Sequence, residues 1–179
     1  MAKAVLISIR PEWVEKILAG EKTLEVRKTC PNMETPFKCY IYCTNSGVAM
    51  RMWGKHGKVV GEFVCDKITW LTHTGFSGFP GNRLVAMKGG YMIDGSFPIY
   101  KSLLTTQQIE KYLDGKDGYV WHISNLKIYD MPKPLYRFKP WNHECKYNDL
   151  GIAIPKCGKC HDCTVEKPPQ SWCYVEELK

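Results

Sequence analysis

The chain lacks any apolar run approaching the roughly eighteen residues that a membrane-spanning helix needs. It also lacks a charged-then-apolar leader, because Lys3 is followed only by the short, strand-like AVLISI. An even cysteine count is missing too: nine cysteines without a secretion signal argue against a disulfide framework and for a reducing compartment. A soluble, cytoplasmic protein with no membrane partner is the expectation. Nor is one sign of charge in large excess. The net charge of +7 favours acidic partners such as nucleic acid or nucleotides without demanding them.

What is present is enough, at 179 residues, for one sizeable core but not for a second full domain. KAVLISI, residues 3–9, is apolar too continuously for an exposed edge and is predicted as a buried strand. Next comes a helix bounded by its punctuation: Pro11 suits a first helical position and Gly20 the left-handed residue past the end. Trp13, Val14, Ile17 and Leu18 form its apolar stripe, leaving Glu12, Glu15 and Lys16 to solvent. The period then changes to two, with Leu24 and Val26 on one strand face and Thr23, Glu25 and Arg27 on the other.

FKCYIYC, residues 37–43, alternates Phe37, Cys39, Ile41 and Cys43 against Lys38, Tyr40 and Tyr42, so these cysteines read as core. A basic turn with Arg51, Lys55, His56 and Lys58 carries Trp53, the tryptophan best placed for exposure, and leads to a strand from Val59 to Leu71. Gly61 inside that strand marks a bulge or a close approach to the backbone. From Thr72 to Tyr100 the composition predicts a long loop. Thr105 and Gln108 have capping-box spacing before a short helix with Ile109, Tyr112 and Leu113 on its apolar face, ending at Gly115. GYVWHISNLKIYD follows as strand, and Pro132 and Pro134 are expected to end it.

That order of elements argues for an α+β fold, a mixed sheet or small barrel with short helices at its ends, and against a doubly wound parallel sheet. Residues 1–135 form the expected main body. Residues 136–179 form a Cys-rich appendage whose C-terminal stretch, SWCYVEEL, returns as a strand.

Within the appendage, Cys157-Gly-Lys-Cys160-His-Asp-Cys163 contains two CxxC steps that share one sulfur, a spacing that lets successive thiolates converge on one ion. A structural zinc site of Cys145, Cys157, Cys160 and Cys163 is expected, with His143, His161 and Cys173 as alternatives to Cys145 and an iron–sulfur cluster as the minor alternative. A sulfur shell of this kind is closed and so structural.

A second constellation surrounds the first helix: Arg10, Lys22, Thr23, Glu25, Arg27 and Lys28, with Glu62 after Gly61. Arginine offers bidentate contacts, lysine a movable charge or base, and the carboxylates accept hydrogen bonds from a base edge. Arg10, Lys22, Glu25, Arg27 and Glu62 are therefore the expected ligand-binding set. Lysine next to a buried acid also permits proton transfer.

The run Gly20-Glu21-Lys22-Thr23-Leu24-Glu25-Val26-Arg27, preceded by Ser8-Ile-Arg10-Pro11 and followed later by Val60-Gly61-Glu62-Phe63, resembles the ASCH domain of the PUA-like superfamily over roughly residues 4 to 130. The ending WHISNLKIYDMPKPL, followed by a Cys-rich segment and PPQSWCYVEEL, is similar to bacterial and phage versions with a Cys-rich C-terminal part. The resemblance implies a small PUA-like β-barrel whose cleft suits RNA or a modified nucleoside, extended by a zinc knuckle. Some relatives are amidohydrolases acting on N4-acetylcytidine through a lysine, a threonine nucleophile and a glutamate. The lysine matches Lys22 and the glutamate Glu62. The threonine position is Glu25 in this chain, with Thr23 beside it, so the catalytic set for an enzyme would be Lys22, Thr23 and Glu62. Ribonuclease activity is attributed to other relatives, and a phage-type module gripping a host protein is a third expectation. Because the nucleophile is replaced, binding of RNA or a nucleotide-like ligand leads.

Overall fold

A computed structural model describes residues 2–46, 54–74, 83–88, 91–92, 97–142 and 164–178. Trp53 lies outside them, as do Cys145, Cys157, Cys160, Cys163, His143 and His161. The elements in order are β1 (Lys3–Ile9), α1 (Pro11–Leu18), β2 (Leu24–Arg27), β3 (Phe37–Cys43), β4 (Lys58–Thr74), β5 (Arg83–Lys88), β6 (Tyr91–Met92), α2 (Thr106–Leu113), β7 (Gly118–Lys133) and β8 (Trp172–Glu176). Short 3₁₀ turns occupy Ile99–Ser102 and Leu135–Arg137.

The sheet runs β2-β7-β4-β3-β1-β8, and β5 and β6 extend from β4. β1 pairs parallel to β3, and the other pairings described are antiparallel. This is the expected mixed α+β arrangement, with one correction: the sheet is open, not a closed barrel. β2 and β8 are the two ends of the strand path. At that seam a side chain bridges where a ladder would close a barrel. Arg27 Nη2 donates to the Ser8 carbonyl at 2.6 Å, and Nη1 lies 3.5 Å from Ser171 Oγ, just before β8.

β1 is apolar on both faces because both are covered. Val5, Ile7 and Ile9 join Val14 and Ile17 of α1, Cys39, Ile41, Cys43, Phe63 and Trp121 in one core. Ala4 and Leu6 face a second core with Tyr40, Tyr42, Tyr129, Phe138, Val165 and Val175. The described parts of the C-terminal region thus complete the sheet's second face, and β8 pairs with β1. A third core, under α2, joins Leu24, Val26, Leu71, Ile109, Leu113 and Val120.

Gly20 has φ +75° just past α1, turning the chain into β2. The capping box of α2 forms as expected: Gln108 N donates to Thr105 Oγ1 at 3.2 Å, and Thr105 N to Gln108 Oε1 at 2.8 Å. Gly61 is both a bulge and a close approach. The register of β4 shifts on both its neighbours there, and a Cβ would stand 2.6 Å from the Lys127 carbonyl oxygen.

Two expectations fail. The loop expected from Thr72 to Tyr100 contains the end of β4, β5, β6 and a 3₁₀ turn, because β4 overhangs the main sheet and Trp70–Thr74 pair with Arg83–Met87. Of the two prolines expected to end β7, Pro132 does not, since the strand continues to Lys133 and stops just before Pro134. Pro132 lies where the register passes from Gly61↔Ile128 to Val59↔Lys133, and the extra residues of β7 leave its missing N–H without consequence for the ladder.

Candidate functional site

A cleft of about 420 Å³ opens at the seam. β1 supplies Ser8 and Ile9, α1 with its N-cap supplies Arg10 and Trp13, and the β2 region supplies Lys22, Glu25 and Arg27. Gln108 and Tyr112 of α2 and Gln170 and Ser171 ahead of β8 complete much of the wall. The period of β2 dictates the floor: Leu24 and Val26 enter the core under α2, so Glu25 and Arg27 point the other way.

On that floor the three charged side chains form a chain. Glu25 Oε2 is 3.2 Å from Lys22 Nζ, and Oε1 is 3.0 Å from Arg27 Nη2. All three are almost sealed from solvent, with exposures of 2% for Lys22, 7% for Glu25 and 8% for Arg27. Lys22 Nζ also donates to the Ser102 carbonyl at 2.6 Å and stands 5.2 Å from the centre of the Trp13 ring. Burial pushes the lysine's pKa below its usual 10.5, with Arg27 adding to the shift and Glu25 opposing it. Arg27 Nε is buried and has no hydrogen-bond partner.

Four of the expected ligand-binding residues therefore meet. Arg10 stands at the mouth, 72% exposed, its Nη1 4.0 Å from Glu12. Glu62 does not join them. It lies opposite Tyr40 in the β3–β4 register and shares the face of the second core, where it accepts from the Tyr129 hydroxyl and lies 3.7 Å from Lys38 Nζ. Lys38 also reaches Glu177 at 2.6 Å, so this cluster pins the C-terminal segment. Thr23 does not line the cleft; its backbone is held by the Lys101 carbonyl and Ile123 N–H.

Among the described residues, no group of three or more His, Cys, Asp or Glu is placed to hold a metal. Cys173, one alternative ligand, sits in β8 opposite Leu6 and packs against the second core. Burial there pushes its thiol up to about 11. Pro140 bridges Val175, Trp141 N donates to the Tyr174 carbonyl, and Val165 N donates to the Phe138 carbonyl at 2.8 Å.

Several cleft residues carry no local sequence signal. Trp13 reads only as helix stripe, and Gln170, Ser171 and the Ser102 carbonyl arrive from distant segments. Ser8 Oγ donates to the Pro169 carbonyl at 2.6 Å, tying β1 to the wall that contains Ser171.

The chain has the ASCH fold. It is similar to the crystal structure of ASCH from Zymomonas mobilis, with a TM-score of 0.51 and 16% identity over 97% of this chain and 88% of that one. A tyrosine-to-phenylalanine mutant and a serine-to-alanine mutant of that protein match with the same score and identity, covering 98% and 97% of this chain and 92% and 89% of theirs. No family model and no curated protein sequence matches the chain. Among the described residues, no helix is long and apolar enough to cross a membrane.

Proposed function

We propose that the cleft binds single-stranded RNA or a nucleotide-like ligand in the cytoplasm. The observation that carries this reading is the buried Lys22–Glu25–Arg27 chain on the cleft floor. Lys22 and Arg27 contact the ligand's phosphate or base, Arg10 draws it in electrostatically from the mouth, and Trp13 offers an aromatic face near Lys22. Glu25 has one oxygen committed to each cation, so its role is to hold them in place. Lys22→Ala or Arg27→Ala should weaken binding of a short RNA in a polarisation titration. Each lost phosphate contact should flatten the salt dependence by about 0.7 in log–log slope. Unchanged affinity and slope would sink the reading.

Hydrolysis of an N-acylated cytidine is the second reading, favoured by the lowered pKa of Lys22 against Glu25. It has to dispense with Glu62, which faces the other side of the sheet, and with Thr23, which does not line the cleft. Acetate release from N4-acetylcytidine by the wild type, absent in Lys22→Ala, would establish it.

For the appendage, we propose a structural zinc held by Cys145, Cys157, Cys160 and Cys163. The spacing of the thiols supports it, and Cys173, one alternative ligand, lies in β8 opposite Leu6 of β1. Elemental analysis should give about one zinc per chain, lost when Cys157 and Cys160 become Ser.

A further inference from the structure

Two buried cations share one buried carboxylate, so the cleft floor is a carboxylate short of neutrality. An arginine guanidinium is a permanent cation in proteins. A second full charge on Lys22 would leave a net positive charge sealed from water, which is costly without a counter-ion. The hydrogen bonds agree. Lys22 Nζ has two oxygen partners, Ser102 O at 2.6 Å and Glu25 Oε2 at 3.2 Å, so among the described residues the third N–H of its ammonium form has no oxygen partner. Arg27 is under-used on the same floor: Nε has no partner, and Nη1 reaches only Ser171 Oγ, at 3.5 Å.

Building on the nucleotide-binding reading, we infer that the cleft takes the phosphate group of its ligand between Lys22 and Arg27, and that Lys22 gains a proton as the phosphate docks. The phosphate supplies the missing negative charge. Its oxygens accept the third Lys22 N–H and the spare guanidinium donors, while the attached nucleoside lies towards Trp13. The charged groups acting on Lys22 are Glu25 and Arg27, both on the β2 strand. The 3₁₀ turn presents the Ser102 carbonyl, with Lys101 exposed beside it, α1 presents the Trp13 ring, and α2 presents uncharged Gln108 and Tyr112. Arg10 stands at the mouth.

Calorimetric titration of the full chain with cytidine, cytidine monophosphate and inorganic phosphate tests this. Each is run at about pH 8.5 in two buffers of different ionisation heat. The monophosphate is a dianion at that pH, because its second pKa is about 6, and inorganic phosphate is largely so, so the proton taken up goes to the protein. The monophosphate should bind at least about tenfold more tightly than cytidine, a difference of about 1.4 kcal/mol. Its heat should depend on the buffer in the sense of proton uptake. Affinity should fall by up to about tenfold per pH unit above the lysine's free-state pKa. In Lys22→Met the uptake should vanish and the preference for the monophosphate should shrink.

Equal affinity for cytidine and its monophosphate would overturn the phosphate assignment and leave nucleoside binding standing. Tight monophosphate binding without proton uptake would overturn the role of Lys22. Binding of inorganic phosphate alone, with proton uptake and no gain from the nucleoside, would keep the anion site and remove the nucleotide reading. No binding by any of the three would remove both. If Lys22→Met fails to fold, the wild-type buffer and pH series decide the matter alone.

Discussion

Glu25→Gln is the most severe single test of the cleft's electrostatics. The carboxylate holds Lys22 at 3.2 Å and Arg27 at 3.0 Å with almost no water to replace it. An amide of the same shape keeps one acceptor oxygen but turns an NH₂ donor towards the other cation. Breaking a buried pair costs about 3–5 kcal/mol, because the partner remains buried and unpaired. The lower end applies, since Lys22 can shed its proton more easily than an exposed lysine and so limit the loss. About 3 kcal/mol in a domain of this size lowers the melting temperature by roughly 6–12 °C. Thermal unfolding followed by circular dichroism at pH 7 reads this directly, and the deficit should shrink as pH rises and Lys22 becomes neutral. Adding Lys22→Met removes one of the stranded charges. The double variant should recover part of the loss, with a coupling of at least about 1 kcal/mol. A shift below about 2 °C for Glu25→Gln, or strict additivity in the pair, would refute the claim that the three side chains form one buried unit.

Other perturbations test the frame that holds the cleft. Gly61→Ala places a methyl group 2.6 Å from the Lys127 carbonyl oxygen, so backbone must move. A loss of about 1–3 kcal/mol is expected in urea unfolding, and wild-type stability would show that the approach is looser than described. Thr105→Ala removes the capping box of α2 and should cost about 1 kcal/mol without altering ligand affinity by more than a small factor. Alkaline pH should destabilise the fold through its core thiols. Burial raises Cys43 to about 11 and Cys65 to about 12, and raises Cys39 well above its usual value, whereas in the unfolded chain all three ionise near 9.0. The unfolded state therefore binds fewer protons above about pH 9, and stability falls with rising pH through that window. Lys22 acts in the opposite sense, since its folded pKa lies below 10.5, so Lys22→Met should steepen the alkaline decline.

The parts of this fold legible in the sequence are those whose signals are local. Pro11 and Gly20 bracket α1, Thr105 and Gln108 cap α2, and an unbroken alternation from Phe37 to Cys43 marks β3 together with its buried thiols. Gly61 is readable because the absence of a side chain is itself the message: the Lys127 carbonyl needs the space. β5 and β6 have no such signal, since they exist by pairing with the overhanging end of β4. Pro132 misleads because its penalty depends on whether a ladder partner waits opposite, and a register shift removes that partner.

The site divides in the same way. Lys22, Glu25 and Arg27 lie within six residues, and alternation on one short strand is enough to group the last two. Glu62 carries the same chemistry and alternates as regularly, but alternation says only that Glu62 opposes its neighbours, not which face meets the cleft. Its pairing with Tyr40 decides that, and it sends the carboxylate to Tyr129 and Lys38. Gln170 and Ser171 reach the cleft, and the Ser102 carbonyl reaches Lys22, through tertiary structure, as the 80-residue separation of Lys22 from Ser102 illustrates.

The central claim, that ligand enters at the open seam of the sheet, is tested most directly by titrating isotope-labelled protein with a short single-stranded RNA and following the backbone amide resonances. Shifts should concentrate on Ser8 to Trp13, Lys22 to Arg27 and Gln170 to Ser171, with Glu62, Tyr129 and Lys38 left in place. Shifts confined to the Glu62 face, or none at saturating RNA, would contradict it.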